Sequence, residues 1–256
     1  MRLYSWNVNG IRAVEKKGFA ELVKQFAPDI LCLQETKASE DQLSDELKHL
    51  PGYPSAWSSG ERKGYSGVAS FFKTPPLKTA SGFGLNPRFD VEGRILISEH
   101  PGFTLLNIYF PNGQKNDERL RYKLDFYDAT LEYCEQLRQA GRSLIICGDF
   151  NTAHNEIDIA RPKENENYSG FLRIERDWMD KFESSGYIDT FRKLYPEQKN
   201  AYSWWSFRAG ARNRNVGWRL DYFYVTPDLW SKVKGAAIHP GVTGSDHCPV
   251  SLDIEL

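Results

Sequence analysis

Short apolar runs, each about the length of one β-strand, recur along almost the whole of this chain. They are rich in β-branched and aromatic residues and are bounded by turn-forming residues, a pattern that predicts strands. Between Ser66 and Phe110 the runs leave no room for helices, which predicts antiparallel meanders. The predicted strands are Arg2–Asn7, Asp29–Glu35, Ser66–Lys73, Arg94–His100, Phe103–Phe110, Ser143–Asn151, Arg219–Thr226 and Pro249–Glu255.

Three segments have the spacing of amphipathic helices. The first covers Phe19–Phe26 and stops before Pro28. The third covers Ile174–Glu183 and ends near Gly186. The second has apolar residues at 3.6-like spacing before a helix-ending Gly141, namely Leu120, Leu124, Tyr127, Leu131 and Cys134. Strands and helices mixed in this order predict an α/β fold in which two sheets pack together with helices outside.

No repeat or linker divides the chain, so residues 1–256 are predicted to form a single catalytic domain. No apolar run approaches the ~20 residues that cross a bilayer, and the N-terminus lacks the apolar core of a secretory signal. The four cysteines are scattered without zinc-like spacing. We therefore expect a monomer in a reducing, cytoplasmic compartment, with no membrane partner.

Composition by itself leaves the class of partner open. The net charge is −1, whereas domains that bind nucleic acid are often strongly basic. However, basic residues gather in loops, as at Arg12 with Lys16 and at Arg208 with Arg212 and Arg214. Clusters of charge are usually only solvent-exposed faces. The class of partner must therefore be inferred from the sequence motifs.

Polar residues able to do chemistry stand where the apolar runs end. They occur in Trp6-Asn7-Val8-Asn9, Leu33-Gln34-Glu35, Tyr109-Phe110-Pro111-Asn112, Gly148-Asp149-Phe150-Asn151 and Ser245-Asp246-His247, with Asp221 inside a further run. Any one of them alone is better explained by a turn or a cap. Together they indicate a shared site, because an unpaired carboxylate at a buried strand end costs several kcal/mol. Oxygen ligands with one histidine suit Mg²⁺ or Mn²⁺ rather than zinc.

The ordered motifs of the chain resemble those of the exonuclease III family of apurinic/apyrimidinic (AP) endonucleases, within the DNase I-like superfamily. The resemblance covers essentially the whole chain. It includes the strand-end motifs above together with Leu33-Gln34-Glu35-Thr36-Lys37, Gly64-Tyr65-Ser66-Gly67-Val68-Ala69, Asn215-Val216-Gly217-Trp218-Arg219-Leu220-Asp221-Tyr222 and Gly244-Ser245-Asp246-His247-Cys248-Pro249. The Gly-Asp-Phe-Asn and Ser-Asp-His motifs are shared across the superfamily, whereas the segments around Tyr65 and Trp218 are more specific.

The resemblance implies a four-layered α/β sandwich with its site at the open edge of the two sheets. It implies a Mg²⁺ cofactor, for which Mn²⁺ substitutes, held by Glu35 with Asn7, Asn9 and Asp246. Asp149 would position or deprotonate the attacking water, and Asn151 would orient it. His247, paired with Asp221, would contact the scissile phosphate, and Tyr109 and Asn112 would stabilise it further.

The same residue types fit phosphodiester hydrolysis on independent grounds. The reaction needs an aligned water and neutralisation of charge on the phosphate oxygens. Asp221 is expected to raise the pKa of His247 by favouring the imidazolium. No Gly-x-Ser-x-Gly elbow or activated cysteine offers a protein nucleophile.

Recognition residues are also implied by the resemblance. Trp204, Trp218 and Leu220 would wall a pocket for a base-free deoxyribose turned out of the helix. Arg12, Lys37, Tyr65, Lys115 and Arg208 would hold phosphates or support bent duplex DNA. Taken alone, each tryptophan is explained equally well as part of the hydrophobic core.

These observations predict a Mg²⁺-dependent endonuclease that cuts double-stranded DNA 5′ to abasic sites in base excision repair. Activity as a 3′-phosphodiesterase and 3′→5′ exonuclease is expected at the same site. One alternative is a DNase I-like phosphodiesterase or phosphatase acting on a non-DNA phosphate ester, which would be expected to lack the segment around Trp218. Another is a catalytically silent nucleic-acid-binding module, which would be expected to have lost residues such as Asp149 and His247.

Overall fold

The computed structural model describes residues 1–256. Its strands are β1 (Arg2–Asn7), β2 (Ile30–Gln34), β3 (Ser55–Ser58), β4 (Val68–Phe72), β5 (Lys78–Ser81), β6 (Ile95–His100), β7 (Phe103–Tyr109), β8 (Leu144–Asp149), β9 (Ile188–Asp189), β10 (Asp221–Val225), β11 (Val233–Ile238) and β12 (Val250–Ile254). Its α-helices are α1 (Ile11–Glu15), α2 (Phe19–Phe26), α3 (Asp45–Lys48), α4 (Pro87–Asp90), α5 (Asp117–Gln139), α6 (Pro162–Asn165), α7 (Arg173–Ser184), α8 (Thr190–Leu194) and α9 (Pro227–Trp230). None of the helices combines the length and apolar character needed to cross a bilayer.

The strands form two six-stranded sheets. The first has the order β11-β12-β1-β2-β4-β3 and the second the order β5-β6-β7-β8-β10-β9. In each sheet one central pair is parallel, β1 with β2 and β7 with β8, and the remaining pairs are antiparallel. The parallel pairs need crossover connections, which α2 and α5 supply.

Alternation along the strands builds three apolar layers. In β1, Leu3 points into the core between the sheets, and its neighbour Tyr4 points to the core beneath α1 and α2. In β8, Ile145 belongs to the core between the sheets, and Ile146 belongs to the core beneath α5 and α7. The order is therefore helices, sheet, sheet, helices, which confirms the predicted four-layered α/β sandwich.

The predicted strands and helices are present, but the segment from Ser66 to Phe110 is arranged differently from expectation. Strands β5, β6 and β7 form an antiparallel meander of the predicted kind in the second sheet, whereas β4 lies in the first sheet. Helix α4 also intervenes, although no helix was expected there. Strands β3, β5, β9 and β11 were not predicted, and each is an edge strand of its sheet.

Strand register brings the polar strand ends into one row. Asp149 at the end of β8 pairs with Tyr109 of β7 on one side and with Asp221 of β10 on the other. In the other sheet Asn7 of β1 pairs with Gln34, the residue before Glu35. Both sheets thus present their chemically active residues at the same edge of the sandwich.

Candidate active site

A cleft of about 370 Å³ opens at this edge of the sandwich. Most of the residues singled out by the sequence line it: Asn9, Glu35, Tyr109, Asn112, Asp149, Asn151, Trp204, Trp218, Leu220, Asp246 and His247. Larger depressions elsewhere on the surface gather no comparable set of charged groups. The polar residues at the strand ends therefore lie together in one cleft, as their positions in the sequence indicated.

Asp149 is a buried carboxylate of the cleft with hydrogen bonds to both of its oxygens. Its Oδ1 accepts from the backbone N of Asn151 at 2.8 Å, and its Oδ2 accepts from the Nδ2 atoms of Asn7 at 2.8 Å and Asn151 at 3.2 Å. Burial raises the pKa of Asp149 to about 7, with His247 opposing and Asp221 adding to that effect. A general base works best when its pKa lies near the operating pH.

Asn151 is itself held in place. Its Nδ2 donates to the carbonyl of Phe110 at 2.9 Å, and its Oδ1 accepts from Nδ2 of Asn112 at 3.2 Å. The backbone of Asn151 is left-handed, with φ of 52°, a conformation that a non-glycine residue keeps only when its surroundings stabilise it. The loop after β8 is therefore rigidly set behind Asp149.

His247 and Asp221 form a buried pair. Nδ1 of the imidazole lies 2.8 Å from Oδ2 of Asp221, and Nε2 lies 3.8 Å from Oδ2 of Asp149. Burial alone would lower the pKa of His247, but the carboxylates of Asp221, Asp149 and Asp246 outweigh it and raise the pKa to about 10. The ring is therefore an imidazolium at neutral pH, with Nε2 directed toward the cleft.

We expect nuclear magnetic resonance titration of the His247 ring to show an imidazolium at pH 8, and Asp221→Asn to lower its pKa. The pKa of His247 is higher in the folded protein than its value near 6.5 in the unfolded chain, so the charged ring stabilises the fold. This contribution is fully present below pH 6.5 and is lost as the pH rises toward about 10. The free energy of unfolding of the wild type should therefore fall more between pH 6.5 and 9.5 than that of Asp221→Asn. A neutral ring in the wild type at pH 8 would contradict the assignment.

A second group of oxygens surrounds a cation supplied by the chain itself. The ammonium of Lys37 lies 2.9 Å from Oε1 of Glu35 and 2.5 Å from Oδ1 of Asn9. Asn9 also donates to Oδ1 of Asp246 at 2.9 Å, and Nε1 of Trp204 donates to the other oxygen at 3.0 Å. Glu35, Asn9 and Asp246 thus form an oxygen-rich position that accommodates positive charge, as a hard divalent ion requires.

Asn7 links the two groups. Its Nδ2 donates to Oε2 of Glu35 at 3.0 Å as well as to Asp149, while its Oδ1 accepts from the backbone N of Asn9. The amide nitrogen of Asn7, not its oxygen, therefore faces the carboxylates. Asp149, Asp221 and His247 also place possible ligand atoms within 4.8 Å of one another.

Tyr109 stands at the cleft wall with its hydroxyl protonated. Desolvation, joined by the charges of Glu35 and Asp149, raises its pKa well above the usual value. The buried guanidinium of Arg94 lies 4.6 Å from the ring centroid of Tyr109, and its Nη1 donates to the backbone carbonyl of Tyr109 at 3.1 Å. The phenol is therefore a fixed hydrogen-bond donor at neutral pH.

The aromatic wall of the cleft is built from Trp204, Trp218 and Leu220. The two indoles meet edge to face, with centroids 5.9 Å apart and planes at 89°, and Leu220 belongs to the small buried cluster against which they pack. Arg219 lies between Trp218 and Leu220 in the chain, and its side chain points the other way. It binds the buried carboxylates of Asp158 and Asp189 at 2.7 Å each. The wall is thus anchored from behind.

The residues predicted to hold phosphates or support the duplex do not line the cleft. Arg12, Lys115 and Arg208 are exposed. The hydroxyl of Tyr65 accepts from the guanidinium groups of Arg94 and Arg119 at 3.0 and 3.2 Å, so it is held within a network as well as being partly exposed. Lys37 contacts Glu35 and Asn9.

Three lining residues were not singled out from the sequence: Gln114, Ser169 and Gly170. Gln114 follows directly on the Tyr-Phe-Pro-Asn-Gly segment, which offered a signal. Ser169 and Gly170 lie in a connection without regular structure, between helices α6 and α7. No periodicity or motif in that connection could have identified them.

Comparison with known proteins gives a consistent result. Residues 4–247 match the model of the endonuclease/exonuclease/phosphatase family. An exodeoxyribonuclease of Bacillus subtilis is 43% identical over 257 residues, covering 100% of both chains. The DNA repair nuclease APEX1 of Danio rerio is 41% identical and covers 98% of this chain and 81% of its own length. The catalytic domain of Xenopus laevis APE2 superposes with a TM-score of 0.89 at 35% identity, covering 99% of this chain and 91% of that chain.

Proposed function

This chain belongs to the endonuclease/exonuclease/phosphatase family, and we propose that it hydrolyses the phosphodiester bond 5′ to abasic sites in duplex DNA, in base excision repair. The nuclease activities named for its relatives support this proposal. The observation that carries it is that one cleft contains both the polar residues suited to phosphodiester hydrolysis and the apolar wall of Trp204, Trp218 and Leu220. We expect the same cleft also to remove 3′-blocking groups and 3′-terminal nucleotides.

In the proposed reaction a water held by Asp149 attacks phosphorus from the side opposite the 3′-oxygen. Asp149 takes the proton, and Asn151 holds that carboxylate in position. The imidazolium of His247 and the phenol of Tyr109 face the growing negative charge on the phosphoryl oxygens. The bond to the 3′-oxygen breaks with its electron pair on that oxygen, which takes a proton from solvent while Asp149 releases its proton to solvent. The products are a 3′-hydroxyl on one side and a 5′-phosphate on the abasic sugar.

We propose that Glu35, Asn9 and Asp246 hold the metal ion of this metal-dependent family, with Mg²⁺ as the natural ion and Mn²⁺ as a substitute. Their fit rests on the oxygen donors and on the Lys37 ammonium that already lies against two of them. When bound, the ion would neutralise charge on the phosphate oxygens. Asn7 would link this group to Asp149 through its amide nitrogen.

A duplex with one tetrahydrofuran abasic analogue tests the function directly. We expect a single nick 5′ to the analogue in the presence of Mg²⁺, with a 3′-hydroxyl that a DNA polymerase extends. An identical duplex with an intact nucleotide is the control. A protein that leaves the analogue intact but hydrolyses inositol or phospholipid phosphate esters would instead be a phosphatase or phosphodiesterase of non-DNA substrates.

The pocket assignment predicts the effect of Trp218→Ala. Turning the sugar out of the helix costs a few kcal/mol of unstacking, and this cost is smallest where the base is missing. An apolar wall offsets part of the cost by burying the deoxyribose at about 25 cal/mol per Å², and its bulk excludes a sugar that still carries a base. We expect kcat/KM for abasic sites to fall while cleavage of normal 3′ ends stays the same or rises.

Melting temperature separates this result from a structural effect of the substitution. Trp230→Ala, outside the cleft, is the matched control and should leave the ratio of the two activities unchanged. If Trp218→Ala lowers both activities in parallel and melts at a much lower temperature, Trp218 belongs to the core and not to a pocket.

A further inference from the structure

Beneath the cleft lies a buried ion pair whose side chains do not themselves line it. Nζ of Lys123 on α5 lies 2.7 Å from Oε1 of Glu175 on α7, and both side chains are completely buried. The attraction within a buried pair often only repays the desolvation of its two charges, and packed apolar residues commonly stabilise a fold as well. Stability alone therefore does not explain why charges lie there.

The lysine holds the loop that carries the water-orienting residue. Its ammonium donates to the backbone carbonyl of Asn151 at 2.8 Å and to Oγ1 of Thr152 at 2.8 Å, in addition to Glu175. All three ammonium protons are thus used. The bond to the carbonyl helps to fix Asn151, two residues after Asp149, in its left-handed conformation.

The glutamate holds a second segment of the cleft lining, Ser169 and Gly170. Its Oε1 accepts from Oγ of Ser169 at 2.7 Å, and its Oε2 accepts from the backbone N of Gly170 at 2.6 Å. Gly170 lies against the pocket wall, because a Cβ added there would lie 3.0 Å from Cζ3 of Trp218. The carboxylate therefore fixes the backbone on which the indole of Trp218 rests.

We propose that Lys123 and Glu175 are a positioning pair that fixes the Asp149–Asn151 loop relative to the Gly170–Trp218 wall. The pair thereby holds the attacking water and the extruded sugar in the relative position that the reaction needs. This inference rests on the proposed function. A rigid link between the loop and the wall matters because a misplacement of about 1 Å costs roughly 10²-fold in rate. Neither residue touches substrate, so the pair acts only through the groups it holds.

The double variant Lys123→Met with Glu175→Gln tests the pair, because it removes both charges together and leaves no unpaired ion. We expect kcat for nicking at a tetrahydrofuran site to fall by about tenfold to 10²-fold, with a smaller change in KM. The preference for abasic over intact 3′-terminal substrate should also decrease. Leu131→Ala, on the same helix but in the distant core, is the control that lowers the melting temperature without changing kcat at the assay temperature.

A double variant that keeps the wild-type kcat and substrate preference overturns the inference. If the double variant does not fold, Thr152→Val replaces it, since that change removes one bond of Lys123 at nearly constant volume. A fall in its kcat in a folded protein supports the pair, and an unchanged kcat overturns it. Wild-type protein runs in parallel: if it does not nick the abasic duplex, the proposed function fails, whereas variants that match an active wild type contradict only the positioning pair.

Discussion

Asp149→Asn is expected to abolish nearly all turnover at abasic sites while DNA binding is retained. An asparagine can hydrogen-bond a water but cannot accept its proton, and removal of a general base typically costs ~10²–10⁴-fold. The carboxylate already accepts from Asn7 and from Asn151, so its orientation is set before substrate arrives. Single-turnover nicking of a tetrahydrofuran duplex, with affinity measured separately, gives the two quantities.

Two further variants make the Asp149 result specific. Asn151→Ala should lower turnover in the same direction but less, because it removes one donor to Asp149 and leaves the carboxylate. Asp253→Asn, in an exposed ion pair with Arg2, should have no effect. If Asp149→Asn retains activity within about tenfold of the wild type, another group is the base.

Glu35→Gln is expected to remove most activity at ordinary Mg²⁺ concentration and to recover part of it at high Mg²⁺. The change keeps the shape of the side chain and the bond from Asn7 but removes the negative charge that holds the cationic Lys37 at 2.9 Å. A bound metal contributes several kcal/mol of charge stabilisation, which corresponds to a loss of about 10²-fold or more. Zinc should replace magnesium poorly, since the site offers oxygens rather than thiolates or several imidazoles.

The metal assignment is checked by binding as well as by activity. Calorimetric titration of Mn²⁺ should give weaker binding to Glu35→Gln than to wild type, and Glu99→Gln, whose carboxylate pairs with Arg142 far along the second sheet, should bind as the wild type does. Full nicking activity in wild-type protein stripped with EDTA would show that no metal is needed.

The interior of each sheet could be predicted from the sequence, whereas the sheet edges could not. Every predicted strand, such as Phe103–Phe110, lies inside a sheet and is buried on both faces, so its apolar run is continuous. Strands at the edges bury less and have a weaker pattern, as in Lys78–Ser81, which is fully exposed. Family membership, predicted from the ordered motifs, is confirmed by the match over residues 4–247.

The sequence by itself determined which residues stand at strand ends, because the continuous apolar run of a strand buried on both faces stops where the strand stops. Only the tertiary structure decided which groups support them. The meeting of Lys123 with Glu175 depends on how α5 packs against α7, and the position of Gly170 against Trp218 depends on an irregular connection. Contacts between residues far apart in the chain leave no local periodicity, so they arise only once the layers have packed.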